Sequence, residues 1–223
     1  PQMLVWARSE TPFETLESVE EISPSITAKN LEAWEKGVDY PSITEAKKLA
    51  SLYKIPFATF YLSEEPARKV KRYTDRRTLK GFYSENISYA LWSEIQRIES
   101  NRDSIVEFTE DETPVRAIPS IPNDDVIEIA TAIRAYLGLD TPLRSKTAYG
   151  ANPFNYYRNI VERNNIIVAQ VSGVDIEEMK GLSIYFDSYP IIAINNKDYE
   201  VQKLFTGSRM EEGVGQKDWF VWS

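Results

Sequence analysis

The stretch ITAKNLEAWEKGVDYPSITEAKKLASLYKIP, residues 26–56, contains two helix patterns joined by a turn. The first pattern ends at Gly37, a residue suited to the position just after a helix C-terminus. The second begins after Ser42, whose hydroxyl can accept a hydrogen bond at the N-cap. Its apolar positions recur at helical spacing, at Ala46, Leu49, Ala50 and Tyr53. With further short helices on either side, this stretch predicts an all-helical head over residues 1–62.

The upstream part of the head carries two more helix patterns, MLVWARSE and TPFETLESVEE. In the second of them, Thr11 is the predicted N-cap, with Pro12 at the first helical position and Glu14 two residues further on. The apolar turn PFATFYL closes the head at residue 62. We expect four side chains of the head to be buried: Trp34, Leu49, Phe57 and Leu62.

The remainder of the chain predicts a mixed architecture. Residues 63–110 read as a basic linker followed by a long helix, and residues 111–206 as further helices and then strands rich in β-branched and aromatic residues. The strands are predicted at 166–171, 182–186 and 190–194, and residues 207–223 form a divergent tail. The fold class is therefore α+β, with a helical head, a helical segment and a small three-stranded sheet.

Composition excludes several kinds of chemistry. The 223 residues include 26 basic and 34 acidic side chains, for a net charge of -8, which disfavours indiscriminate binding to nucleic acid. The chain has no cysteine, which excludes disulfides, and no histidine, which removes the commonest metal ligand and general base. No apolar run is long enough for a membrane helix and no signal peptide is evident, so we expect a cytoplasmic protein without a membrane partner.

The head resembles the helix-turn-helix domain of the Xre/phage-repressor family. The features that carry the resemblance are the WEKG turn at 34–37, Pro41 after it, and the helix AKKLASLYKIP at 46–56. In that family the helix ending near Trp34 is the recognition helix, which enters the DNA major groove. The resemblance implies DNA-binding residues at Ser25, Thr27, Lys29, Asn30 and Lys36. Lys29 and Asn30 can donate to base edges, whereas Ser25 and Thr27 can hold phosphate.

The charge of the head favours a different role. Residues 1–62 hold six basic and nine acidic side chains, and the TPFETLESVEE helix carries four glutamates and no base. Since phosphate contacts supply most non-specific affinity, this is a weak electrostatic footprint for DNA. The alternative is a head that keeps the fold and docks a protein or a second copy of the chain. The basic linker, with Arg68 to Lys80, could add phosphate contacts, although such runs are usually solvated.

From MLVWAR onward, residues 3–206 resemble the ImmA/IrrE family of metallopeptidases, in the branch with an Xre-type head. The matching motifs are MLVWAR, AWEKG, PFATFYL, DRRTL, GVDIEEMKGLSIYFDSYPIIAINNKD and KLFT. In the family the FT dipeptide precedes a helix bearing HExxH, whose two histidines bind zinc and whose glutamate activates the metal-bound water. Here Phe205 and Thr206 are followed by Gly207, and no histidine follows. We expect no catalytic residue, no metal ligand and no cofactor in this chain, since zinc belongs to an intact family member.

The tail after Thr206 raises a frameshift hypothesis. Gly207 to Met210 can be encoded so that a one-nucleotide shift reads Ala-His-Glu, the start of the family's active-site helix. Glu211 and Glu212 are adjacent and point about 100° apart on a helix, so they do not share one metal. We expect the aromatic tail residues Trp219, Phe220 and Trp222 to fold back onto the domain or to bury against a second chain.

These observations leave three functions open. The first is a DNA-binding transcriptional regulator or antitoxin-like protein whose metallopeptidase domain is truncated and inactive. The second is a non-catalytic protein-binding module that keeps the family's substrate-recognition surface. The third is a fragment of a zinc metallopeptidase that cleaves a repressor or partner protein. The expected partners are DNA, a protein such as a toxin or repressor, and a second copy of the chain.

Overall fold

The structure is a computed structural model that describes residues 1–66, 73–77, 87–109, 126–138 and 152–198. At residues 73–77 and at 126, 127, 129 and 130 it describes the backbone alone. The described residues form two compact units, and the division falls within a long helix, between Gln96 and Arg97. Unit 1 takes in the described residues from Pro1 to Val70 and from Glu85 to Gln96, and unit 2 takes in the others. The predicted α+β fold class is confirmed.

Unit 1 is built from short helices. They are α1 (Gln2–Ser9), α2 (Leu16–Ile22), α3 (Ala28–Glu35), α4 (Ile43–Leu52) and a 3-10 helix (Phe57–Tyr61). The end of α3 follows the predicted pattern, because Gly37 has a φ of +71°, a conformation that glycine adopts without strain. Ser42 caps α4 with a full capping box: the Glu45 amide donates to Ser42 Oγ, and the Ser42 amide donates to the Glu45 carboxylate.

The predicted cap of α2 was wrong. Thr15, not Thr11, is the N-cap, and its Oγ1 accepts from the Ser18 amide at 3.2 Å. Thr11 instead donates to the Arg8 carbonyl and accepts from the amide of Phe13, whose ring is buried in the core. The apolar Phe13 is thus held in a turn before the helix, which shortens α2 at its start.

The core of unit 1 gathers side chains from α1 to α4. Trp34 and Leu49 are buried as predicted, at 3% and 0% exposure. Phe57 is half-buried, and the prediction of a buried Leu62 was wrong, since that side chain is 50% exposed. The 3-10 helix ends at Tyr61, and Leu62 follows in extended conformation. The side chain of Leu62 is therefore not carried into the core by the helix. Tyr89 closes the core by stacking on Phe13.

Unit 2 combines helices and a sheet. The long helix α5 (Tyr89–Thr109) contributes its part from Arg97 onward, followed by α6 (Val126–Tyr136) and α7 (Pro153–Glu162). The strands are β1 (Tyr73–Arg77), β2 (Ile167–Val171), β3 (Gly181–Ile184) and β4 (Ile191–Asn195). The three predicted strands are therefore present as β2, β3 and β4, with ends shifted by one or two residues.

The sheet is mixed, with the strand order β1-β3-β4-β2. β2 lies parallel to β4, while β3 is antiparallel to both β4 and β1. Every residue of β3 and β4 is buried, as expected for the central strands of a covered sheet. β1 extends the predicted three strands by one and lies inside the segment predicted as a basic linker. One face is covered by α7, through Phe154 and Val161.

A buried asparagine ties the end of β4 to the preceding loop. Asn195 has 0% exposure, and its Nδ2 donates to the carbonyls of Met179 at 2.8 Å and Val174 at 3.3 Å. Its Oδ1 accepts from the Lys197 amide at 2.9 Å. Three backbone groups therefore depend on one side chain, which fixes the segment from Val174 to Met179 against the sheet.

Candidate nucleic-acid interface

The candidate interface is built on the pair α2 and α3, which pack against each other in unit 1. Residues 23–27 connect them, and Ile26 anchors the connection because its side chain is buried at 1% exposure. Thr27 is the N-cap of α3, and its Oγ1 accepts from the Asn30 amide at 3.2 Å. Leu31 and Trp34 point from α3 into the core. The burial of these two residues leaves the first turn of α3 with an outward-facing side.

Four of the predicted site residues cluster around the start of α3. Lys29 and Asn30 are exposed at its second and third positions. Ser25 is also exposed, and its Oγ accepts from Lys48 Nζ at 3.4 Å, which brings the ammonium group of α4 to the same connection. Thr27 has a structural role as the cap, although its hydroxyl can still donate a hydrogen bond. This group offers donors for base edges and phosphates at one end of the helix.

Lys36, the fifth predicted residue, lies at the opposite end of α3. It is seven positions after Lys29, which corresponds to about 10 Å along a helix axis. Its Nζ is 2.5 Å from Glu32 Oε1, and both side chains are exposed. The hydrogen bond from Lys36 holds the pKa of the Glu32 carboxyl below its ordinary value, so this lysine is paired at neutral pH. Its charge is therefore offset where a DNA backbone would meet it.

An acidic side chain caps the helix from outside. Glu20, in the last turn of α2, accepts from the Ala28 amide through Oε2 at 2.7 Å. Ala28 is the first residue of α3, so the carboxylate lies at the end of the helix that carries the positive partial charge. This contact was not predicted from the sequence. No local sequence pattern indicates a hydrogen bond between Glu20 and Ala28, because the two residues belong to different helices.

Arg8 and Glu35, also missed from the sequence, join α1 to α3. Arg8 Nε donates to Glu35 Oε1 at 2.8 Å and Nη2 donates to Oε2 at 2.9 Å. The two side chains are only 19% and 10% exposed. This two-point geometry fixes the direction as well as the distance of the pair. It sets the last turn of α3 against α1 and so helps to define where the first turn points.

Tyr53 lies beside this ion pair at 1% exposure. Burial raises the pKa of its hydroxyl well above the ordinary value of 10.0, and the charge of Glu35 raises it further while that of Arg8 lowers it. Within the described residues, neither the Tyr53 hydroxyl nor Trp6 Nε1 has a hydrogen-bond partner. The hydroxyl therefore stays protonated at neutral pH, and the ring packs in the core of unit 1.

The C-terminal half offers no zinc site of the kind that the ImmA/IrrE resemblance would imply. Across the described ranges, no group of three or more His, Cys, Asp or Glu side chains is placed to hold a metal. The 223 residues include no histidine, so they do not supply the two histidines of an HExxH zinc site. Glu211, Glu212 and the aromatic tail residues Trp219, Phe220 and Trp222 lie outside the described residues. Among the helices that are described, none has the length and apolarity needed to cross a membrane.

The arrangement can make direct base-edge contacts from two side chains, Lys29 and Asn30, on a helix whose far end is fixed by an ion pair. Its positive charge is limited, because Lys36 is paired and Glu20 lies at the helix start. Comparison of the chain with models of protein families, with curated proteins and with solved structures gives no match.

Proposed function

We propose that unit 1 binds double-stranded DNA through the first turn of α3, and that the protein acts as a cytoplasmic transcriptional regulator or antitoxin-like protein. In this proposal the C-terminal half is a peptidase-like domain without a catalytic centre, which recognises a protein partner such as a toxin or repressor. The zinc-peptidase alternative finds no support in a chain without histidine. Binding to a palindromic operator would require a second copy of the chain.

The observation that carries the proposal is the exposure of Lys29 and Asn30 at the start of α3. Their neighbours Leu31 and Trp34 are buried, so the helix is held by its inner side while the two polar side chains face solvent. A lysine reads guanine acceptors in the major groove, and an asparagine can form two hydrogen bonds with adenine. Both chemistries suit a helix that presents its N-terminal turn to base edges.

The proposal is tested by fluorescence anisotropy with labelled duplexes from the genomic region flanking the coding sequence. Lys29→Ala and Asn30→Ala are each expected to weaken specific binding by about 1–3 kcal/mol. Lys54→Gln is the matched control, because it removes one exposed positive charge beyond the end of α4. If the wild-type protein and both α3 variants bind every duplex equally, the assignment of α3 is wrong, and if none binds at all, the DNA-binding proposal is wrong.

A second candidate, a head that docks a protein instead of DNA, is favoured by one surface. Val38, Tyr40 and Ile43, in and just after the loop between α3 and α4, are 80%, 71% and 66% exposed. Apolar side chains exposed so close together in sequence are a common feature of protein-docking sites. Co-purification with the product of a neighbouring gene would support this candidate if Tyr40→Ser and Ile43→Ser abolish it. Retention of the partner by both variants would exclude this surface.

A further inference from the structure

Glu20 is isolated from positive side chains. Its carboxylate accepts from the Ala28 amide at 2.7 Å, and within the described part of the chain it has no lysine or arginine within 4.0 Å. The last turn of α2 contains no base. The negative charge is therefore compensated only by a backbone amide and the partial charge of the helix end.

This charge occupies a position that matters for DNA. The N-terminus of a helix attracts anions, because its first amides lack partners within the helix. Here two of those amides are already engaged, Ala28 with Glu20 and Asn30 with Thr27. The Glu20 carboxylate accepts its hydrogen bond from Ala28, the residue immediately before Lys29. Any phosphate that approaches the first turn of α3 meets a negative charge where other helix ends offer a positive one.

We infer that Glu20 is an affinity-limiting residue, an internal anion that lowers the affinity of α3 for every DNA sequence. The inference rests on the proposed DNA-binding function and deepens it. Since phosphate attraction is independent of sequence, the carboxylate weakens specific and non-specific complexes alike. Binding by one copy of the head then depends on the base contacts of Lys29 and Asn30.

The test compares Glu20→Gln with Glu17→Gln in the full chain. The glutamine at position 20 keeps an oxygen that can accept from the Ala28 amide and removes the charge. Glu17 is exposed one turn earlier in the same helix, so its replacement removes an equal charge from α2 and leaves the contact with the Ala28 amide in place. Both variants and the wild type are titrated with a specific duplex and with a random-sequence duplex at low salt. Thermal unfolding verifies that each is folded.

Glu20→Gln is expected to bind both duplexes roughly three- to tenfold more tightly than wild type, as removal of one nearby charge predicts. Glu17→Gln is expected to stay within about twofold, because the Glu17 side chain is exposed to water and makes no hydrogen bond to α3 among the described residues. Equal affinities of the two variants, or weaker binding by Glu20→Gln, would overturn the inference. The proposed function would still stand in that case, provided that the wild type binds DNA. Absence of binding by wild type and Glu20→Gln alike would overturn both.

A second readout is independent of DNA. Glu20→Ala deletes the acceptor, so the Ala28 amide proton is expected to move upfield and to exchange faster in an NMR spectrum, whereas Glu17→Ala leaves it unchanged. If the Ala28 resonance and its exchange rate are the same in wild type and Glu20→Ala, the contact is absent in solution and the inference fails.

Discussion

Arg8 and Glu35 are joined by two parallel hydrogen bonds, of 2.8 and 2.9 Å, that link α1 to the last turn of α3. The residues are 27 positions apart in sequence, and both side chains are largely shielded from water. The pair sits beside Tyr53, which is buried in the core. The orientation of the candidate recognition helix is thus coupled to the core by a charged contact.

Glu35→Ala is expected to lower the free energy of unfolding by about 2–3 kcal/mol, because it leaves the Arg8 guanidinium mostly buried without its partner. Urea unfolding at neutral pH measures the change. Glu32→Ala, which breaks the exposed pair with Lys36, is the control and should leave the midpoint nearly unchanged. A wild-type midpoint in Glu35→Ala would show that the ion pair does not hold α1 to α3.

Tyr53→Phe is expected to raise the free energy of unfolding by about 1 kcal/mol, because it removes a buried hydroxyl that has no partner within the described residues. The benefit should grow in alkali. Burial raises the folded-state pKa of Tyr53, so the unfolded chain loses this proton more readily than the folded one. The stability of the wild type is therefore unaffected by this ionisation below the ordinary pKa of 10.0 and falls as pH rises above it. Urea unfolding of both proteins at neutral and alkaline pH gives the difference. Identical alkaline losses in both would contradict the buried position of this hydroxyl.

Asn195→Ala is expected to destabilise unit 2 by about 3 kcal/mol, because it removes the hydrogen-bond partner of two backbone carbonyls and one backbone amide. Asn195→Asp should be no better, because a carboxylate would face the carbonyls of Val174 and Met179. Asn196→Ala, which removes an exposed hydrogen bond to Ser172, is the matched control. Thermal unfolding monitored by circular dichroism compares the three, and similar midpoints for Asn195→Ala and Asn196→Ala would refute the anchoring role.

Lys36→Gln is expected to weaken binding to all duplexes equally and to lower the slope of log affinity against log salt by no more than about 1, because Glu32 already offsets part of the charge. Glu32→Gln should act in the opposite direction, because it releases Lys36 from its 2.5 Å pair. Anisotropy titrations across several salt concentrations give both slopes. A sequence-dependent loss in Lys36→Gln would mean that this lysine reads bases in place of phosphates.

The elements that sequence could predict were those with local signals. The helices of unit 1 are marked by caps and apolar spacing, as in the case of Ser42 and Gly37, and the central strands β3 and β4 by continuous apolar runs. β1 gave no such signal, since its sequence YTDRR holds three charged residues. It lies at the edge of the sheet, where charged side chains are tolerated, and its pairing with β3 joins segments over a hundred residues apart.

In the candidate site, too, the residues with a local sequence signal could be predicted and the contacts between helices could not. Lys29 and Asn30 follow from their place at the start of a predicted helix, and both are exposed. The contacts that modify their surroundings could not be predicted, because Glu20 reaches Ala28 from another helix and Arg8 reaches Glu35 across the core. The pairing of Lys36 with Glu32 at helical spacing was available from the sequence, and it lowers the contribution expected from that lysine.

The most direct test of the DNA-binding proposal is selection of bound duplexes from a random-sequence library by the full chain, followed by sequencing. The proposal predicts that the wild type enriches a common motif and that the Lys29→Ala/Asn30→Ala double variant, folded as judged by circular dichroism, enriches none. No enrichment by the wild type, or the same motif from both proteins, would contradict the assignment of α3 as the recognition helix.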